Sequence, residues 1–280
     1  MRVSFAQALL ACVLGCASCT FAVSAIELAS GGNDVDGSVT VDEGEPEGDA
    51  ATVVDATMGA GDLRSAPPDL GKPFCVSSPA LAACYRFEDA AHPTQIRDDS
   101  SYGNDATGVS VLFAPGISGN AAAVGTATSI RAPDSASLDA TTALTLELWV
   151  RPESLPAAAG RYGLVDDDGQ YGLFIGSGGD LRCAVNATTL ASPMNEITVA
   201  AWSHVACTYD GANLRLYHNG KSVASAAEIG NVSQGSANGL AIAGNSPTGD
   251  PLLGLIDDLR IWLIVRTPKE ICDEWGGGGC

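Results

Sequence analysis

The stretch AAWSHVACTYDGANLRLYHNGKSVAS, residues 200–225, decides the fold. Apolar side chains recur at every second position in two runs, SHVACTYD and NLRLYHNG, which is the period of a strand with two distinct faces. DGAN joins the two runs, and HNGK leads into a third, SVASA. Asn219-Gly220 is the dipeptide of a type I′ hairpin turn, because both central residues of that turn take positive φ. The stretch therefore predicts a three-strand antiparallel meander.

The same period continues outward. In ALTLELWVRP (143–152), Leu144, Leu146, Leu148 and Val150 alternate with Thr145, Glu147, Trp149 and Arg151. ACYRFE (83–88), YGLFIG (171–176), LRCAVN (181–186), GLAIAG (239–244) and GLIDDLRIW (254–262) are similar short runs punctuated by turn residues. A dozen or so strands of this kind predict an all-β, antiparallel two-sheet sandwich. One short helix is expected near the C-terminus, in RTPKEICDEW: Thr267 caps it, Pro268 takes the first helical position, and Glu270 completes a capping box.

The rest of the chain reads differently. Residues 1–25, MRVSFAQALLACVLGCASCTFAVSA, have one Arg, an apolar run and small residues, the pattern of an export signal. VLGC resembles a lipobox that would leave Cys16 lipidated and anchor the protein to a membrane; cleavage after Ala25 is the competing reading. Residues 26–72 are rich in Gly, Asp, Glu and Pro, a composition that buries too little apolar surface to offset the entropy of ordering. They are expected to form an acidic tether, with residues 73–280 as the folded domain. The protein is therefore expected in the cell envelope, as an outer-membrane lipoprotein or in secreted form.

Fourteen basic side chains stand against 33 acidic ones, a net charge of −19. Without clustered Lys and Arg such a chain cannot neutralise phosphates, which argues against nucleic acid and anionic lipid surfaces as partners. Six cysteines lie in the folded part: Cys75, Cys84, Cys183, Cys207, Cys272 and Cys280. An even count in an exported chain reads as disulfides, and zinc-type pairs are missing. Cys75 and Cys84 flank a short loop, and Cys272 and Cys280 close a terminal turn. Cys183 and Cys207 sit inside strand-like runs, which suits a staple between neighbouring strands.

CYRFEDAAHPTQIRDDSSYGNDATG, PGISGNAAAVG, LTLELWVRP, WSHVACTYDGANLRLYHNGKSVAS and LLGLIDDLRIWLIVRTPKEI, in that order, resemble the LamG-like jelly-roll domain of the concanavalin A-like lectin/glucanase superfamily. The resemblance runs from about Leu81 to Ile271. It implies two stacked curved sheets with the first and last strands adjacent. It also implies a structural calcium, with Asp257 of the last strand and Glu88 near the first as ligands and Asp258 as a substitute. Asp98 and Ser100 match the family's D-x-S turn, which reads as an Asx-type strand exit.

Function is less legible. Trp149, Trp202, Trp262 and Trp275 offer flat faces for sugars. However, Trp149 and Trp202 match strand-core positions of the family pattern, and aromatic content is only 6%. His204 reads as structural, and Asp166-Asp167-Asp168 as a polar hairpin. Glucanase relatives carry alternating acids on one strand, since period two places them on one face. No such run occurs in the sandwich; EGEPEGD (43–49) alternates but lies in the tether. The expectation is a non-catalytic surface module recognising a glycan or an envelope protein. A glycoside hydrolase or lyase, or a purely structural envelope module, are the alternatives.

Overall fold

The structure, a computed structural model, describes residues 74–235, 237–276 and Cys280. The leader with Cys16 and the tether lie outside these residues. In chain order the strands begin with β1 (Leu81–Tyr85), β2 (Gln95–Ile96), β3 (Ala106–Val109), β4 (Leu112–Pro115) and β5 (Asn120–Val124). There follow β6 (Ser129–Ala132), β7 (Leu144–Pro152), β8 (Arg161–Asp167), β9 (Tyr171–Gly176), β10 (Leu181–Val185) and β11 (Thr188–Ala191). The meander is β12 (Ser203–Tyr209), β13 (Asn213–His218) and β14 (Lys221–Ala227), and β15 (Leu240–Ile242), β16 (Gly254–Trp262) and helix α1 (Pro268–Trp275) complete the domain.

The strands form two antiparallel eight-stranded sheets. The first runs β14-β13-β12-β7-β16-β5-β4, with β1 also paired to β16; the second runs β11-β10-β9-β8-β15-β6-β3-β2. The meander forms as read: Asn219 and Gly220 have φ of 47° and 75°, the positive values a type I′ turn needs. First and last strands are neighbours, Leu81 opposite Trp262 and Tyr85 opposite Leu259.

The core lies between the sheets. Leu144, Leu146, Leu148 and Val150 of β7 point into it beside Val205, Cys207 and Tyr209 of β12 and Ile256, Leu259 and Ile261 of β16. Each such side chain contributes roughly 1.5–3 kcal/mol when fully buried. The opposite face of the first sheet is covered too. Residues 74–76 and Trp262 form one apolar patch there, with Leu81 and Cys84. Ile271 of α1 packs on Ala206 and Tyr217 in another.

Helix α1 starts as its sequence demands. The Thr267 side chain accepts from Glu270 N–H, the Glu270 carboxylate accepts from Thr267 N–H, and Pro268 follows the cap. It ends where Gly276 takes the left-handed conformation, φ 76°.

The three disulfides are Cys75–Cys84, Cys183–Cys207 and Cys272–Cys280. The second corrects the expectation of a staple between neighbouring strands. Cys183 is on β10 of one sheet and Cys207 on β12 of the other, so the bond crosses the core. Strand periodicity says that both side chains point inward, but not that their strands belong to opposite layers. Three such bonds are those of a protein folded in an oxidising compartment. Replacing both Cys183 and Cys207 with Ala opens a loop of 24 residues and is expected to lower stability by about 3 kcal/mol in guanidinium titration.

Candidate functional site

Apolar spacing along β16 breaks at Asp257-Asp258: Ile256, Leu259 and Ile261 all face the core, three and then two residues apart. A β-bulge accommodates the extra residue, since Asp257 lies opposite Trp149 and Arg260 opposite Glu147. Asp258 takes φ 48° there. The bulge turns Asp257 toward the β4–β5 hairpin. Its Oδ2 accepts from Ile117 N–H at 2.9 Å and its Oδ1 from Asp258 N–H at 2.8 Å.

Glu88 reaches the same turn from the other side, with Oε2 accepting from Asn120 N–H at 3.0 Å. Both carboxylates press on glycines. A Cβ at Gly116 would collide with Asp257 Oδ2, and one at Gly119 with the Glu88 carboxylate. The structure thus brings Glu88 and Asp257 to one turn, where both hold backbone N–H groups, while Asp258 sits beside them in the bulge, near Arg260, Arg86 and Glu88. Burial raises Asp257 and Asp258 above the ordinary carboxylate range; Asp258 adds to the rise of Asp257, while Arg260 and Arg86 oppose that of Asp258 and Glu88 adds to it. Asp258 is 4% exposed and its Oδ1 has no hydrogen-bond partner.

Hard oxygen donors and an orphaned buried oxygen fit a calcium ion, although Arg260 and Arg86 already offset part of the carboxylate charge. Among the described residues no group of three or more His, Cys, Asp or Glu is arranged as a metal cage. A cation here would therefore draw oxygens from backbone carbonyls and water as well.

Asp98 is the strand-exit turn its sequence suggested. Oδ1 accepts from Cys84 N–H and Ser100 N–H, both at 2.8 Å, and Oδ2 from Asn104 N–H and the Ser100 hydroxyl, both at 2.7 Å. This buried carboxylate ties the 98–104 loop to β1. Trp149 departs from its expected core position. It lies on the outer side of its sheet against the His204 ring, centroids 5.3 Å apart. The apolar residues of β7 take the inner face, so the alternating set must point away from the core. Trp262 is spoken for, its Nε1–H donating to Glu147 Oε1 at 2.8 Å. His204 is 1% exposed, and burial drives its pKa down to about 4, so it is neutral and built into the outer layer.

The acids of the β8–β9 hairpin divide by strand alternation and by turn. Asp166 lies on the outer face of the second sheet and accepts from Ser246 N–H at 2.8 Å. Burial lifts its pKa to about 6. Asp167 is 3% exposed, and burial, reinforced by Asp139 and Asp134, lifts it to about 7. Asp168, in the turn itself, accepts from Asn238 Nδ2–H at 2.8 Å. Polar anchoring of neighbouring loops accounts for the hairpin.

Among the hollows that the described residues form, two bear on the site. One, of about 310 Å³, lies between the β5–β6 turn and the 243–251 segment; Thr126, Thr128, Ser129 and Arg131 line it, and no aromatic residue does. The other, of about 140 Å³, opens where the edge strands β2 and β4 of the two sheets meet the chain leaving β1. Arg86, Glu88, Gln95, Arg97 and Asp99 supply its polar groups, and Phe87, Ile96 and Phe113 its apolar ones. Phe87 takes φ 56°, a left-handed conformation costly for an aromatic residue and of the kind that clusters at functional sites. Arg97 Nε–H meets Asp99 Oδ1 at 2.9 Å, Arg86 Nη2 stands 3.7 Å from Glu88 Oε1, and buried Arg86 Nε–H has no partner. Sequence reasoning singled out only Glu88 of this set, because the others converge through sheet edges rather than through any spacing.

With this geometry the chain belongs to the concanavalin A-like lectin/glucanases superfamily, whose family model matches residues 124–272. A 76-residue stretch is 33% identical to pappalysin-1 of Mus musculus, covering 26% of this chain and 5% of that protein's length. Among solved structures, the chain resembles domain 4 of AbnA, a GH43 extracellular arabinanase from Geobacillus stearothermophilus, in complex with arabinotriose. The TM-score is 0.54 at 24% identity, over 69% of this chain and 97% of that one. It also resembles the binding domain of botulinum neurotoxin DC, solved with SialylT, with a TM-score of 0.52 at 13% identity, over 70% of this chain and 51% of that one. The structural likenesses are of fold.

The four raised carboxylates set a pH dependence. Ionising a buried Asp costs folding free energy, so the stability these groups hold at low pH is lost as pH rises through their folded pKa values. His204 has the opposite sense: held neutral at a depressed pKa, it costs stability only as pH falls below its ordinary 6.5. In the presence of a chelator, the melting temperature is expected to rise as pH is lowered from about 8 toward 5, less steeply below about 6.5, where protonation of His204 in the unfolded chain opposes the gain. A melting temperature that climbs with pH over that interval would contradict the assignment.

Proposed function

We propose that this domain is a non-catalytic, glycan-binding module of an exported protein. The observation that carries the reading is the likeness to AbnA domain 4, a domain solved with arabinotriose, which this chain matches over 97% of its length. The neurotoxin domain solved with SialylT supports it from a more distant relative. Buried acids in the sandwich are committed elsewhere: Glu147 to arginines, Asp98 and Asp257 to backbone N–H groups. Among the described residues, Glu147, Asp98 and Asp257 thus do not form a pair of carboxylates flanking a cleft, the arrangement glycoside hydrolysis uses. Binding of the full chain to an oligosaccharide array, with no reducing sugar released from the bound glycans, is the expected result. A uniformly flat array counts against the reading. A protein ligand is the second reading, favoured by the neurotoxin DC binding domain solved with rat synaptotagmin II.

The proposal extends to a structural calcium at Glu88, Asp257 and Asp258, supported by the orphaned Asp258 Oδ1. It also extends to a lipid on Cys16, with residues 26–72 as the tether to the membrane; the export pattern of residues 1–25 supports this part. The native mass of protein extracted from membranes is expected to carry one acyl modification and to lose about 40 Da, the mass of one calcium ion, on chelation. Asp258→Asn is expected to abolish that loss. An unchanged mass under chelation removes the calcium, and an unmodified N-terminus removes the lipid.

A further inference from the structure

We infer that the hollow between β2, β4 and the chain leaving β1 is the sugar subsite, and that it takes one uncharged ring. This rests on the glycan-binding reading above and adds to it both a location and a ligand class. The hollow measures about 140 Å³ and opens to solvent, so it receives one face of a single ring and leaves the rest of the sugar in water. Its lining pairs an aromatic face, half-buried Phe113, with convergent polar groups, the combination that holds a ring with an apolar side and a hydroxylated rim.

Charge selects against acidic sugars. Glu88, Asp89 and Asp99 outnumber Arg86 and Arg97 in the lining. Arg97 is held by Asp99 at 2.9 Å, and Arg86 faces Glu88 at 3.7 Å. An incoming carboxylate would meet net negative charge, with the Arg97 guanidinium paired to Asp99 and the Arg86 guanidinium facing Glu88. Neighbouring hydroxyls meet the opposite situation: carboxylate oxygens accept from one while Arg Nη–H or Gln95 Nε2–H donates to the next. Glu88 belongs to this wall and to the carboxylate group at the β4–β5 turn, so the subsite borders the proposed calcium.

The test places the full chain and its Arg97→Ala and Gln95→Ala variants on one array of neutral and uronate-bearing oligosaccharides, including arabinotriose, cellotriose and trigalacturonate. The Arg97 side chain is 74% exposed and Gln95 lies on an exposed edge, so both variants are expected to melt with the wild type. Phe113→Leu keeps an apolar side chain while removing the flat face. The expected result is wild-type signal on neutral saccharides, weakened about tenfold by each polar variant, the loss of roughly one hydrogen bond. Phe113→Leu should weaken it as well, with melting temperatures preserved. Neutral binding that survives all three substitutions overturns the location and leaves the glycan reading standing. Preference for trigalacturonate overturns the ligand class. A flat wild-type array removes the glycan reading and this subsite with it.

Discussion

The middle of sheet β14-β13-β12-β7-β16-β5-β4, above all β12 and β16, is buried on both of its faces, and that constraint shapes what is built on its outer side. Along β12 and β16 every residue is buried. Strand alternation still sends half of those side chains away from the core, so polar residues on that half lie beneath a second layer instead of meeting water. Glu147 is fully buried, and burial alone would raise its pKa. Arg260 at 3.1 Å and Arg266 at 2.5 Å outweigh burial and hold it ionised. Glu274 of α1 closes the network by reaching Arg260 at 2.6 Å. A buried charge is tolerated only with such partners, and removing one would leave another stranded. The network therefore ties the C-terminal helix to β7 and β16. His204, Thr208 and Glu147 Oε2 lie in the same layer with no protein partner, the usual setting of internal water.

The bulge at Asp257-Asp258 is a local consequence with a wider reach. One extra residue lets β16 keep Ile256, Leu259 and Ile261 inside while swinging a carboxylate to the side, where it captures the Gly116–Gly119 turn. Glu88 grips the same turn from the end of β1. Two acids distant in sequence from the hairpin thus set its shape, and the hairpin's strand β4 carries Phe113 into the neighbouring hollow. Core packing, acidic cluster and cavity form one mechanical chain. Its cost is visible in the raised pKa values and in the left-handed Phe87 and Asp258. Strain and uncompensated charge of this kind concentrate where a fold does something beyond holding itself together.

Much of the architecture followed from short-range rules. The period of two located β7, β9, β10, β12, β13 and β16, Asn219-Gly220 specified its turn, and Thr267-Pro268 with Glu270 specified the start of α1. These are local: backbone sterics, strand alternation and cap hydrogen bonds act within a few residues. Pairing of the six cysteines was legible for the same reason, by proximity in two cases and by strand setting in the third. What sequence alone did not determine is which strands belong to which layer. Cys183 and Cys207 bridge the two sheets because layer membership is settled by packing across the sandwich, whereas the outward face of Trp149 follows from strand alternation opposite the leucines of β7. The small cavity was equally invisible: Arg86, Gln95, Arg97 and Phe113 share no spacing, and only the meeting of two sheet edges brings them together.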